Sequence, residues 1–274
     1  MTKSSLKFAC VALLTFGMLL NGCDKNPTEN EEAQKPTLPP ASSMKVDLNL
    51  FTSSNLPKSG SQQSVPGLNF ITARATVALI NAAVVLNLRV PTVVLAAAFS
   101  QDPVLKADGK FHWIYTASQG NQQFQADLAG WIDVPAQESV WEMRITASTP
   151  PLNNFLWYEG RAKLTNISGY WDVYDATQPT SNTKILRIDW NVQDSTHATL
   201  EFTIVKPGIP ENGDQLTYTA NGNEFSVVYV DASPAATLTV FWNAATHAGY
   251  ITAPNYNGGQ KSCWDELLND VTCP

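Results

Sequence analysis

Apolar and polar residues alternate along most of the chain after residue 110. Segments with a period of two recur roughly every 10 to 14 residues and are separated by Gly, Pro, Asn, Asp and Ser. In one segment Trp141, Met143 and Ile145 alternate with Glu142 and Arg144. A period of two with one polar face is typical of an antiparallel sheet that is packed on one side only.

These segments predict a mainly β fold. About eleven strands follow one another without a helical interruption, which indicates one antiparallel β-meander. The meander is expected to form either an up-and-down barrel or a curved open sheet. The turn Asn221-Gly222-Asn223 predicts a hairpin. The core is expected to contain the large side chains that lie in register with aliphatic residues, namely Trp141, Trp190, Trp242 and Phe202.

The segment 69–101 differs from the rest because it is rich in Ala, Val, Leu and Ile. Its length and alanine content predict helix, which Pro91 is expected to break into two pieces. The helices are expected to pack in or over the sheet. A membrane span and a strand-rich segment are the alternatives, and Arg74, Asn81 and Arg89 within the segment oppose a span.

The first 23 residues have the plan of a signal peptide. Lys3 and Lys7 precede an apolar run from Phe8 to Leu20, and Leu20-Asn21-Gly22-Cys23 follows. The last four residues resemble the lipobox of bacterial lipoproteins. The resemblance implies that residues 1–22 are removed, that Cys23 is acylated, and that the protein is held on a membrane of the bacterial envelope, outside the cytoplasm. An ordinary cleaved signal and an uncleaved anchor are the alternatives, and the choice between inner and outer membrane is open.

The chain after this signal divides into two parts by composition. Residues 23–67 are rich in Pro, Ser, Asn, Glu and Gln, and such a segment buries too little apolar area to offset its ordering entropy. We therefore expect a flexible tether over 23–67. A single β-rich domain over 68–274, including the helical segment 69–101, is expected to follow it.

Charge and histidine content exclude several functions. The net charge of −7 becomes about −9 without Lys3 and Lys7, which argues against a nucleic-acid surface. His112, His197 and His247 are each alone in their segments, so sequence neighbours do not form a zinc site. No Gly-x-Ser-x-Gly motif is present. The sequence therefore assigns no catalytic residue, no metal and no cofactor.

Cys263 and Cys273 remain after Cys10 is removed and Cys23 is acylated. Two cysteines in an exported chain predict a disulfide. The acids between them are expected to be solvated, with Ca²⁺ binding as the alternative; they are Asp265, Glu266 and Asp270. With its Cys-Trp-Asp and final Cys, the C-terminal half is similar to that of uncharacterised bacterial envelope lipoproteins.

Acids and aromatic residues mark the polar face of the predicted sheet. Five carboxylates are expected to pair with basic residues on neighbouring strands, and a glycosidase-like acid pair is the alternative. The acids are Glu142, Glu159, Asp172, Asp189 and Glu201, and the bases are Arg144, Arg161, Lys163, Lys184 and Arg187. One residue of each pair Trp157-Tyr158 and Tyr170-Trp171 is expected to point away from the core. Tyr170 and Tyr174, with Asp172 between them, are candidates to contact a sugar or a partner protein.

Strand number, helical cover and lipid anchoring together resemble the lipoprotein carriers and receptors of the Gram-negative envelope, whose half-open barrel holds acyl chains. The resemblance implies non-enzymatic binding of an apolar ligand in a cavity of the β domain. The alternatives are a structural or protein-interaction module with a fully packed core, and a hydrolase that uses paired carboxylates.

Overall fold

The computed structural model describes residues 33–53, 66–82, 86–233 and 235–274. These residues contain fourteen antiparallel strands in one sheet. The strands are β1 Val104–Leu105, β2 Phe111–Gln119, β3 Gln122–Asp133, β4 Glu138–Ala147, β5 Leu152–Lys163, β6 Ser168–Tyr174, β7 Lys184–Val192, β8 His197–Ile204, β9 Gln215–Asn221, β10 Glu224–Ala232, β11 Ala235–Asn243, β12 Gly249–Thr252, β13 Ser262–Trp264 and β14 Asp270–Val271.

Each strand pairs with the strand that follows it in the sequence, so the sheet is an uninterrupted meander. The predicted antiparallel β-meander is confirmed. Within the described residues β1 and β14 are the two edges and do not pair, so the sheet is open and the closed barrel is wrong. The strand count exceeds about eleven because β1, β13 and β14 have only two or three residues, too few for an alternating pattern.

Helices cover one face of the sheet, which we call the inner face; the opposite face is the outer face. The helices are α1 Asn49–Thr52, α2 Leu68–Ile80 and α3 Leu86–Ala98, and two 3₁₀ turns span Ala41–Met44 and Asn257–Gly259. Helix α2 packs against β12 and β13, and α3 packs against β2. Among the helices that the structure describes, none is both long and apolar enough to cross a membrane.

The position of Pro91 corrects one expectation. Pro91 lies inside α3 and does not separate the two helices, because α2 ends at Ile80, well before it. The ring of Pro91 is buried, and Val94 and Leu95 in the next turn are fully buried. This packing offsets the loss of the backbone hydrogen bond that proline cannot donate in a helix interior.

The segment before α2 corrects the expected boundary of the tether. Met44, Leu48 and Phe51 are 2%, 5% and 3% exposed and belong to the main core. The Trp171 Nε1 donates a hydrogen bond of 2.9 Å to the Ser43 hydroxyl, which joins this segment to β6. Residues 33–53 therefore belong to the compact unit 33–274, not to a tether. Residues 23–32 and 54–65 of the predicted tether lie outside the described residues.

Glycines on the inner face lie beside tryptophans of a neighbouring strand. Gly130 pairs with Trp141, Gly160 with Trp171, Gly169 with Trp190 and Gly249 with Trp264. A methyl group on any of these glycines would meet the tryptophan ring at 2.5 or 2.6 Å. Glycine thus makes room for a buried indole across the strand pair. The core positions predicted for Trp141, Trp190, Trp242 and Phe202 are confirmed.

Trp157 and Tyr158 are both buried, which corrects the expectation that one of them points outward. The pairing of β4 with β5 shifts at Met143/Arg144, where Met143 lies opposite Tyr158 and Arg144 opposite Leu156. Trp157 is the extra residue of this β-bulge. The bulge turns its side chain inward, where its ring lies 5.5 Å from that of Phe124.

Candidate functional site

The outer face carries an ion-pair network that begins on β3, β4 and β5. The guanidinium of Arg161 lies 2.7 Å from Asp133 and 3.5 Å from Glu138, and the ammonium of Lys163 lies 2.7 Å from Glu138. The hydrogen bond from Arg161 lowers the pKa of Asp133, and the hydrogen bond from Lys163 lowers the pKa of Glu138. Both carboxylates are therefore held in their charged form.

Three of the predicted carboxylates form a row across the middle of the outer face. Glu142 lies directly opposite Glu159, and Glu159 lies directly opposite Asp172. The ammonium of Lys184 lies 2.8 Å from Asp172 and 3.5 Å from Glu159. Lys110 and Arg144 lie 3.4 and 3.8 Å from Glu142, and Arg187 lies 3.3 Å from both Asp172 and Asp189. The expected pairing with bases of another strand is confirmed for Glu159 and Asp172, through Lys184 and Arg187. Arg144 and Arg187 pair with Glu142 and Asp189 on their own strands, and Arg161 and Lys163 pair with Asp133 and Glu138. Among the described residues Glu201 forms no ion pair.

Tyr170 and Tyr174 lie on the outer face with Asp172 between them, as the pattern predicts. The guanidinium of Arg187 lies 3.5 Å from the centroid of the Tyr170 ring and covers one face of it. The Tyr174 hydroxyl donates to Glu159 at 2.6 Å, and burial raises the pKa of Tyr174 to about 12. These two rings are thus held by the charge network. Beside them is a cleft of about 410 Å³ whose wall includes Tyr170.

A second, more apolar cleft lies at the C-terminal end of the outer face. Phe241 of β11 and Tyr250 of β12 are direct cross-strand partners, and their rings stack at 5.3 Å with an interplanar angle of 17°. The ammonium of Lys261 lies 4.3 Å from the centroid of the Tyr250 ring. The cleft has a volume of about 500 Å³. We call it the aromatic cleft, and its lining includes Phe241, Tyr250, Lys261, Cys263, Trp264 and Val271.

Local strand geometry explains the position of the two aromatic rings. Val240, Trp242 and Ile251 are buried on the inner face, so Phe241 and Tyr250 must point outward. Sequence reasoning did not identify this pair. The available signal was that Phe241 falls between two core positions and that Tyr250 precedes another. That pattern predicts that both side chains lie on the outer face, but it does not show that the two rings are in contact.

Cys263, one half of the predicted disulfide, lines the aromatic cleft. Cys263 and Cys273 are bonded, with their Cα atoms 5.2 Å apart, which confirms the predicted pair. The disulfide closes the acidic loop, in which the carboxylates of Asp265 and Asp270 have partners within the protein. Asp265 accepts from the backbone N–H groups of Leu267 and Asn269 at 3.0 and 2.8 Å.

Asp270 of the same loop caps a helix. It accepts from the backbone N–H groups of Leu68 and Asn69 at 3.0 and 2.9 Å and so satisfies two free donors at the N-terminus of α2. In the part of the chain that the structure describes, no three His, Cys, Asp or Glu side chains form a group able to hold a metal ion. The described contacts of Asp265 and Asp270 therefore favour a structural role over Ca²⁺ binding.

Each histidine has partners of its own. His112 is 8% exposed, and its Nδ1 and Nε2 lie 2.6 and 3.1 Å from Asp127 and Asp108. His197 lies 2.9 Å from Asp194 in a turn. The backbone of His247 has a φ of 67°, and its carbonyl accepts from Trp264 Nε1 at 2.7 Å. These contacts give all three histidines structural roles.

No family model, curated protein or solved structure matches this chain. The class of protein is therefore described by its geometry alone: an open antiparallel meander with helices on the inner face and clefts on the outer face. Cys23 and the segment Leu20-Asn21-Gly22-Cys23 lie outside the described residues.

Proposed function

We propose that this chain is a lipid-anchored protein of the bacterial envelope whose β domain binds a small, largely apolar ligand in the aromatic cleft and does not convert it chemically. The observation that carries the proposal is the cleft itself. Its volume of about 500 Å³ is in the range of small-molecule sites, and the surface that lines it is mainly apolar.

The inner face is a poorer place for the ligand. Its side chains pack against the chain's own helices and against Met44, Leu48 and Phe51 in one continuous core. The ligand site therefore differs in position from the half-open cavity that the resemblance to envelope lipoprotein carriers implies. It lies on the outer face, where a ligand enters without displacing a helix.

A few polar side chains line the aromatic cleft and orient a ligand bound there. Lys261 is exposed and, among the described residues, its ammonium contacts the Tyr250 ring and forms no ion pair. Glu224 and Asp265 line other parts of the cleft. A ligand with an apolar body and an anionic end, such as a fatty acid, satisfies this arrangement when its anionic end lies beside Lys261.

Titration with a fluorescent fatty acid tests the proposal. The protein would be residues 33–274, and binding would be followed by probe fluorescence and by quenching of tryptophan fluorescence. We expect Phe241→Ser and Tyr250→Ser to weaken binding at least tenfold, because each removes apolar wall area from the cleft. Tyr170→Ser, which changes an aromatic residue on the outer face away from the cleft, is the matched control. Binding that is absent, or equal in all four proteins, contradicts the proposal.

The lipid anchor has a separate test. Cells that express the full chain would be labelled with a fatty acid carrying an alkyne tag. We expect the label on the wild-type protein and none on Cys23→Ser, and we expect Cys23→Ser to leave the membrane fraction. Unchanged labelling and membrane association of Cys23→Ser would exclude the anchor.

A protein-interaction role is the second candidate, and the ion-pair network of the outer face favours it. Pairs of opposite charge beside the part-buried ring of Tyr170 suit a protein partner. The same contacts make a hydrolase the weaker alternative, since Glu142, Glu159 and Asp172 already have basic partners. Cross-linking in cells before and after Lys163→Glu tests the interaction role. A partner that is captured equally by both proteins does not bind this face.

A further inference from the structure

The two edges of the sheet are built differently. At the C-terminal edge, β12, β13 and β14 have four, three and two residues, and the disulfide ties the last of them down. At the N-terminal edge, β2 has nine residues, but β1 pairs with only two of them, His112 and Phe111. Residues 113–119 of β2 therefore have β3 on one side and, among the described residues, no strand on the other.

The open side of β2 presents backbone hydrogen-bonding groups. Lys106 N–H donates to the carbonyl of Lys110 at 3.0 Å, so the backbone groups of Lys110 point toward β1. The direction alternates along a strand, and the N–H and C=O groups of Ile114, Thr116 and Ser118 therefore point to this same side, away from β3. The side chains of these three residues are exposed on the outer face.

This stretch lacks the features that normally protect a sheet edge. Lysine, proline and β-bulges are the common means of preventing one edge from pairing with another. The sequence from Trp113 to Gln119 contains no charged residue and no proline, and its pairing with β3 runs without a register shift. Val104 and Leu105 of β1, which pairs with β2 just before this stretch, are 61% and 48% exposed.

We infer that this open edge of β2 pairs in antiparallel fashion with the same edge of a second copy of the chain. The open stretch 113–119 is centred on Thr116, so the greatest overlap places Thr116 opposite Thr116 of the second copy and Ile114 opposite its Ser118. The free donors and acceptors of the two copies then match one another. The net charge of −7 makes most surfaces of two copies repel each other, whereas this stretch carries no charge.

Cysteine cross-linking of the full chain in membranes tests the pairing. Directly opposed residues with hydrogen-bonded backbones lie about 5.5 Å apart at Cα, within the range of a disulfide. Under mild oxidation we expect Thr116→Cys to give a reducible product of twice the monomer mass. Thr199→Cys is the matched control, because Thr199 is an exposed threonine on the same face in the interior of the sheet. The wild-type chain, oxidised in the same way, shows whether Cys10 or Cys23 gives a cross-linked product by itself.

The second arm of the test uses charge on the open edge. We expect Ile114→Lys to reduce the cross-linked product of Thr116→Cys at least tenfold, because it places lysines from both copies at the interface. Folding of this double variant would be checked by its heat-unfolding midpoint. A Thr116→Cys product no stronger than that of Thr199→Cys overturns the inference. A product whose mass fits a different protein also overturns it, since the edge then binds another partner.

Discussion

Replacement of Gly160 by alanine tests how far the inner face depends on glycine–tryptophan pairs. The added methyl carbon would lie 2.5 and 3.0 Å from two ring carbons of Trp171, and it would also meet the carbonyl oxygen of Tyr170. Carbon atoms in ordinary contact lie about 3.5–4.0 Å apart. Trp171 is 1% exposed and donates a hydrogen bond to Ser43, so the ring has little freedom to move away.

The expected cost follows from two opposing effects. Overpacking of a filled core costs about 1–3 kcal/mol. Alanine also restricts the unfolded chain more than glycine does, which stabilises the folded protein by about 0.4–1 kcal/mol. We therefore expect Gly160→Ala to lower the free energy of unfolding by about 1–2 kcal/mol. Urea unfolding of residues 33–274, followed by tryptophan fluorescence and circular dichroism, measures this change.

A double-mutant cycle separates the clash from other effects of the substitution. In a Trp171→Leu background the added methyl group has more room, so Gly160→Ala should cost less there than in the wild type. Thr199→Ala, an exposed substitution in β8, controls for changes unrelated to packing. A Gly160→Ala protein as stable as the wild type would refute the packing argument. Equal costs in both backgrounds would assign the cost to the carbonyl oxygen of Tyr170 and refute the part of the argument that rests on Trp171.

Three further predictions concern stability. Cys273→Ser opens the disulfide with Cys263 and should cost about 3 kcal/mol in urea unfolding; an unchanged midpoint would mean that the loop is held by other contacts. Asp270→Asn weakens the cap of α2 and should lower stability by about 1 kcal/mol, with Glu266→Gln as the control. The pKa of Glu138 is lower in the folded protein than the ordinary glutamate value of 4.5. The charged carboxylate therefore stabilises the fold above that pH, and this stabilisation is lost as the pH falls through the lowered pKa. Glu138→Gln should therefore flatten the fall of the melting temperature from pH 5 to about pH 3, and an equally steep fall would contradict the assignment.

Alternation along the chain was sufficient to predict the sheet and its core. It identifies which residues share a face, and Trp141, Trp190 and Trp242 are accordingly buried. Alternation does not determine whether the sheet closes, because closure depends on strand tilt and on the pairing of the two edges. The same pattern is compatible with an open sheet and with a barrel, and only the three-dimensional structure distinguishes them.

Other features escape local patterns because they depend on distant residues. Composition placed Met44 and Phe51 in a tether, but contacts with strands far along the chain bury them. The β-bulge at Trp157 adds one residue and inverts the face of a side chain, and the residue types around it give no sign of this. The aromatic cleft depends on which residue of β12 lies opposite Phe241, and alternation alone does not specify this register.

The contacts of Phe51 have a consequence for the order in which the chain folds. Its ring packs 5.0 Å from Trp242 and 6.4 Å from Trp264, both near the other end of the sequence, whereas every strand pairs with its immediate neighbour. Neighbouring strands close short loops and can form early, but Phe51 must wait for β11 and β13. The segment around Phe51 thus stays exposed until the last strands have formed, and its docking marks the completion of the core.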